Sequence, residues 1–203
     1  MDVLQYEWNK PDATSAHSYI TAPIFSFIPS DMNLKIADLG CGNGYFAGLL
    51  ATMGHKVTAL DSSEDGIRIA KEAYPGIDFR CLSLYENLLP HIGSDFDVVI
   101  SSEVIEHLYD PRRFLKNAFE ILKPGGELIL TTPYHGYLKN LAMAVTGKLD
   151  KHFTVGWDCG HIKFFSVKTL ATMVEEQGFR NIRFKFAGRV PYLWKSMVLC
   201  GRK

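Results

Sequence analysis

The sequence predicts an α/β fold: a doubly wound, mostly parallel sheet of seven strands with an antiparallel last strand. Three observations predict it. Short apolar runs alternate with amphipathic stretches, the pattern of βα units. The central runs Val98-Val99-Ile100 and Leu128-Ile129-Leu130 are continuously apolar, as strands covered on both faces must be. A loop with glycines at alternate positions, Gly40-Cys41-Gly42-Asn43-Gly44, joins an apolar run to a helical stretch.

In chain order, residues 13–28 form an N-terminal helix within a helical cap over residues 1–34. Strands are expected at Lys35–Leu39, Lys56–Leu60, Ile77–Cys81, Asp97–Ser101 and Glu127–Thr131, with helices between them at Tyr45–Met53, Glu64–Tyr74 and Pro111–Leu122. Pro111 suits a first helical turn, and Lys123-Pro124-Gly125-Gly126 ends that helix. Residues 134–165 are a long insertion, read as a lid with structure of its own. Within it Leu138, Leu141, Ala142, Val145 and Leu149 recur at helical spacing, which predicts an apolar stripe facing the core. A last helix, Val167–Gln177, is capped by Ser166 and closed by Gly178. Two strands follow, Ile182–Phe186 and Lys195–Cys200. Their connection is too short for a parallel crossover and predicts an antiparallel pair.

The 203 residues suit one domain, 1–203, with the lid as part of it. Hydrophobic residues are 47% and charged residues 22%, which excludes extensive disorder. Twenty-two basic residues balance 22 acidic ones, so binding to nucleic acid by bulk charge is not expected. No apolar run has the length of a membrane span. The N-terminus is polar and acidic where a signal peptide would be basic and then apolar, and Cys41, Cys81, Cys159 and Cys200 form no CxxC pair. Together these features predict free thiols and a cytoplasmic protein, monomeric or homodimeric.

The glycine loop permits a tight turn and a close approach of backbone to ligand. The helix after it offers amides and a positive dipole end to an anionic group. About 20 residues on, Asp61 ends the second strand, where a carboxylate can grip both hydroxyls of a ribose. This order of strand, glycine loop, helix, strand and acid predicts a nucleoside site.

Asp38-Leu39-Gly40-Cys41-Gly42-Asn43-Gly44-Tyr45-Phe46 resembles the first motif of the S-adenosylmethionine-dependent methyltransferases with a Rossmann-like sheet. The stretches Ser94–Asp97, SSEVIEHL at 101–108 and LKPGGELIL at 122–130 match that family in order, so the resemblance covers about residues 35–132. It implies S-adenosyl-L-methionine as cofactor and S-adenosyl-L-homocysteine as product. Asp38, Cys41 and the backbone of Gly40, Gly42 and Gly44 would face the methionine part. Asp61 and Ser62 would face the ribose. Ser83 and Leu84 would lie at the adenine, in a loop lacking the acid many members carry there. Ser102 and Glu103 would stand where cofactor and acceptor meet.

Methyl transfer rests on positioning, so no catalytic triad is required. His107 is a candidate base or a residue that positions its loop. On a helix over 103–108, Glu103, Glu106 and His107 would share one face. That set suits a divalent metal, and ExxEH resembles the metal motif of small-RNA 2′-O-methyltransferases and some ubiquinone-pathway O-methyltransferases. The same segment is widespread in methyltransferases that need no metal, and no metal site is assigned. Aromatic and basic residues make the lid a candidate wall of an acceptor pocket. GHIKFFS at 160–166 resembles a pocket-shaping motif, with His161 as its candidate catalytic residue. His17, Tyr19, Tyr6 and Trp8 are candidates to close over the cofactor, or to pack.

These features predict methyl transfer to a small-molecule acceptor, at oxygen. The alternatives are a cofactor-binding regulatory or partner module without transferase activity, and an RNA 2′-O-methyltransferase. A nicotinamide oxidoreductase is disfavoured by the GxGxG spacing.

Overall fold

The computed structural model describes residues 8–29, 33–153 and 156–203. The strands are β1 (Lys35–Leu39), β2 (Lys56–Asp61), β3 (Asp78–Cys81), β4 (Phe96–Ser102), β5 (Leu122–Pro133), β6 (Arg180–Ala187) and β7 (Ser196–Arg202). They form one seven-stranded sheet in the order β3-β2-β1-β4-β5-β7-β6. Pairing is parallel from β3 through β5, while β7 is antiparallel to both β5 and β6. Six strands therefore run one way and the last runs against them, as the sequence predicts.

The helices are α1 (His17–Phe25), α2 (Tyr45–Thr52), α3 (Glu64–Ala73), α4 (Leu89–Ile92), α5 (Pro111–Ile121), α6 (Tyr137–Val145), α7 (Leu149–Phe153) and α8 (Val167–Glu176). Their starts are chemically marked. The Ser63 hydroxyl accepts from the Gly66 amide at 3.1 Å, ahead of the acidic Glu64 and Asp65. Asp110 accepts from the Arg113 amide at 3.1 Å, with Pro111 in the first turn of α5. Ser166 and Thr169 cap α8 reciprocally.

Consecutive strand residues point to opposite faces, which produces two cores. Ala37, Leu39, Val99, Leu128 and Leu130 meet Phe114, Leu115 and Ile121 of α5 and Leu170 and Val174 of α8. Ile36, Val98, Ile100 and Ile129 meet Ile20 and Ile24 of α1, Phe46 and Leu50 of α2, and Ile67 of α3. The chain winds outward from β1 through β3, then returns to lay β4 on the other side of β1. That reversal opens a crevice at the carboxyl ends of β1 and β4, where ligands of such sheets bind.

Two expectations are corrected. Residues 103–108 do not form a helix: Glu103 has φ 54°, and only Ile105–His107 turn, as a 3-10 helix. Glu103 therefore does not share a helical face with Glu106 and His107. The lid helix is also inverted. Leu138, Leu141 and Val145 are 50%, 46% and 78% exposed, while Lys139 is 3% exposed. The helix breaks after Val145, so Leu149 falls on α7.

Candidate functional site

The glycine loop crosses the mouth of the crevice. The Gly40 and Cys41 amides donate to the Leu60 carbonyl at 2.7 and 2.9 Å, which ties the loop to the end of β2. Gly40 has φ +84°, and a Cβ there would lie 2.4 Å from Cγ2 of Val104. The loop after β4 thus presses directly on the glycine loop. At Gly42 (φ +52°) a Cβ would lie 2.3 Å from the Trp8 ring, so the indole covers this glycine. Asn43 anchors the approach to α1, its amide donating to the carbonyls of Lys10 and Asp12 at 2.7 and 2.9 Å.

Two acids flank the loop. Asp61 accepts from the Gly42 amide at 2.8 Å through Oδ2 and from the Ser63 amide at 2.8 Å through Oδ1. Burial pushes its carboxyl up, against the pull of those amides. Asp38 is buried, and its Oδ2 has no hydrogen-bond partner among the described residues. Burial first, and then the Asp61 charge, raise its carboxyl from 3.8 to about 7. A ligand bringing a cation to Asp38 and hydroxyls to Asp61 would satisfy both. The Cys41 thiol is buried and pushed well up, so it is not a thiolate.

The remaining cofactor candidates follow the outer strands. Ser62 is exposed, and its carbonyl accepts from the Cys81 thiol at 3.6 Å. Ser83 is half-buried, with its hydroxyl accepting from the Tyr85 amide at 3.2 Å. Leu84 is buried in the core between the sheet and α5. Ser102 Oγ lies 3.4 Å from Thr131 Oγ1.

Beyond β4 lies a cluster of buried polar side chains. The Glu103 amide donates to Thr131 Oγ1 at 2.9 Å, and its carboxylate accepts from the Ser196 hydroxyl at 3.3 Å. Burial pushes the Glu103 carboxyl up to about 7 and that of Glu106 well above the carboxylate range. The Glu106 carbonyl accepts from the amides of Ile162 and Lys163, both at 2.9 Å, which fastens the lid to the turn after β4. His107 Nδ1 is 3.2 Å from the Gly160 carbonyl. A carbonyl only accepts, so Nδ1 carries the proton and Nε2 is left as a lone-pair acceptor. Burial lowers the His107 pKa and holds His161 at about 4. The two rings meet edge to face with centroids 4.8 Å apart.

The structure thus brings the two catalytic candidates together. Glu106, His107 and His161 also form the only group among the described residues with donor atoms arranged to hold a metal ion, all within 4.8 Å. Glu103 is not in that set. His161 also lines a depression of about 370 Å³ with Phe153, Trp157 and Phe164. Tyr19 stands beside Ser196 and Glu103, where burial raises its phenol. His17 Nδ1 instead accepts from the Thr14 amide at 2.9 Å, closing the turn into α1, and its ring lies 4.9 Å from that of Tyr45. Tyr6 lies outside the described residues.

Pattern reading gave no role to Thr131 or Ser196, and it took in Asn43 only as part of the glycine loop and Lys139 only as one of the lid's basic residues. Nothing in the pattern announced that Lys139 is buried, because helical periodicity assigns the longest apolar stripe to the core. Ser196 sits opposite Pro133 in the β5–β7 register, a pairing no local motif announces.

The chain matches the methyltransferase-domain family over residues 16–183. It is 33% identical over 156 residues to a ubiquinone biosynthesis O-methyltransferase of Parvibaculum lavamentivorans, covering 73% of this chain and 59% of that protein. It is 38% identical over 127 residues to the protein so named in Caulobacter vibrioides, covering 61% of this chain and 49% of that one. This chain therefore spans between half and three-fifths of those relatives. Among solved structures, an S-adenosylmethionine-dependent methyltransferase from Mesorhizobium loti superposes with a TM-score of 0.69 at 19% identity, covering 90% of this chain and 96% of the other.

Proposed function

The chain belongs to the family of methyltransferase domains, and from that premise we propose that it methylates a small-molecule acceptor at oxygen, using S-adenosylmethionine. The observation that carries this reading is the pair Asp38 and Asp61 around a loop where no side chain fits at Gly40 or Gly42. S-adenosylmethionine, when bound, supplies an electrophilic methyl group on a sulfonium and leaves as S-adenosylhomocysteine.

In this reading Asp38 takes the ammonium of the amino-acid end, which gives its unpartnered oxygen a counter-charge. Cys41 and the glycine backbone line that end. Asp61 and Ser62 receive the ribose, Ser83 and Leu84 border the adenine, and Ser102 and Glu103 bound the crevice toward the acceptor. His107 takes the acceptor's hydroxyl proton at Nε2, since burial keeps its ring neutral near pH 7. His161, also neutral, packs on His107 and shapes the acceptor side. The lid, held on the Glu106 carbonyl, excludes water. Positioning of this kind can supply roughly 7–11 kcal/mol of a barrier. The relatives named as O-methyltransferases support oxygen as the acceptor atom. No metal is needed for this chemistry, and activity surviving a chelator would support that part of the reading.

Calorimetric titration of cofactor-stripped protein tests the proposal. Micromolar binding of adenosylmethionine and adenosylhomocysteine, without NAD binding, is expected. A response to NAD alone would sink it. Asp61→Ala should weaken adenosylmethionine binding about 100-fold or more, since charge-assisted hydrogen bonds contribute about 1.5–3 kcal/mol each.

A further inference from the structure

Resting on the transfer reading above, we infer that the lid builds an acid-recognition site, so that the acceptor carries a carboxylate or phosphate received by Lys139 and Arg189, with His135 and His152 beside them. The argument begins with Lys139. A lysine only 3% exposed ordinarily has an anionic partner, because burying an unpaired ammonium is costly. Here Nζ donates to two neutral groups, the Tyr134 carbonyl at 2.7 Å and the Lys195 carbonyl at 3.4 Å. Neither Lys139 nor Arg189 takes part in any ion pair within 4.0 Å among the described residues.

The second observation is a set of unfilled donors and acceptors in the same place. Nε2 of His135 and Nε2 of His152 are buried without partners among the described residues, and their rings lie 5.4 Å apart. His135 itself is 6% exposed. Lys139 and Arg189 lie close enough to perturb one another, and both act on His152. Arg189 follows Gly188 in the β6–β7 hairpin, where the Gly188 carbonyl accepts the Lys195 amide at 3.1 Å, and the Lys195 carbonyl in turn accepts from the Tyr134 amide and from Lys139 Nζ, which sets the hairpin against the start of the lid.

Glu103, the acid whose charge reaches Lys139, makes no ion pair with it within 4.0 Å and instead accepts from the Ser196 hydroxyl at 3.3 Å. The buried ammonium is thus left for a ligand to pair, and the neutral imidazoles can offer N–H groups to an anion. An amine would be repelled there. A neutral group would leave the buried ammonium unpaired. Phe153 and Phe164 flank the His135 ring at 6.1 and 5.1 Å, which suits a flat, apolar body for the acid.

The test uses the full chain loaded with adenosylhomocysteine and three isosteric or near-isosteric probes: benzoate, phenyl phosphate and neutral benzamide. Calorimetry should give at least one acid an affinity about tenfold or more above benzamide, the scale expected when a charged hydrogen-bonding partner is present. Whichever acid binds more tightly identifies the anion as carboxylate or phosphate. Lys139→Met should remove that preference while adenosylhomocysteine affinity is retained. Arg189→Ala, at an exposed position, should reduce it without risk to folding. Benzamide binding as tightly as the acids, neither acid binding, or both variants keeping the preference would overturn the inference and leave the transfer reading intact. Failure of the wild type to bind adenosylhomocysteine would overturn both.

Discussion

Asp38 and Asp61 divide one task between an occupied and an unoccupied carboxylate. Asp61 already accepts two amides, while Asp38 has an oxygen with no partner among the described residues. The consequence is a pH dependence of the cofactor-free protein. The folded Asp38 titrates near 7 and the unfolded one near 3.8, so the folded state holds the extra proton between those values. Its stabilising contribution is complete below about 3.8 and is lost as pH rises through about 7. Asp38→Asn should therefore raise the melting temperature of the cofactor-free protein at pH 7.5 and flatten its fall between pH 4 and 7. Thermal unfolding across pH checks this, and an unchanged profile would refute the assignment. At this scale much of the site was legible. The glycines and Asp61 announce themselves by spacing, because backbone geometry dictates glycine and strand ends dictate the acid. The burial of Lys139 and the contact of Ser196 with Glu103 were not legible, because the first runs against the apolar stripe of its own helix and the second joins residues far apart in the chain.

Elements were legible wherever their ends carry chemistry. Helix α8 begins where Ser166 and Thr169 cap it, and α5 where Asp110 and Pro111 start it. Ser166→Ala should cost about 1 kcal/mol of unfolding free energy, read by denaturant titration, with adenosylhomocysteine affinity unchanged. The segment 103–108 shows where element reading fails. Its spacing fits a helix, yet Glu103 takes a left-handed backbone conformation and its amide is claimed by Thr131 of β5. A strand neighbour, invisible to local pattern, overrides the helical option. The lid fails for another reason. Its apolar stripe and its buried lysine lie on different faces, and amphipathicity by itself cannot say which face turns inward when a charged group is held in a site.

For the whole molecule, the unbroken apolar runs of the central strands were strong evidence, because a strand covered on both faces belongs at the middle of a layered sheet. The two-core arrangement makes a prediction. Phe179 is fully buried between α8 and β7, edge to face with Phe119 at 5.1 Å. Phe179→Ala should cost about 3–5 kcal/mol, measured by denaturant unfolding, because so large a cavity cannot collapse between two rigid layers. Sheet order itself was not written in any motif. It emerges from the reversal between β3 and β4, which also creates the crevice.

The position of Trp8 gives the molecule its own optical reporter. The chain has three tryptophans, and they occupy three separate stations. Trp8 covers Gly42, Trp157 lines the lid depression, and Trp194 stacks on Phe186 with centroids 4.1 Å apart. A nucleoside arriving at the glycine loop changes the surroundings of the first indole and leaves the stacked third in place. Intrinsic emission should therefore shift on addition of adenosylhomocysteine, and Trp8→Phe should abolish most of that shift. Emission from Trp157 remains to follow an acceptor at the lid, so each half of the site can be watched in one unlabelled protein.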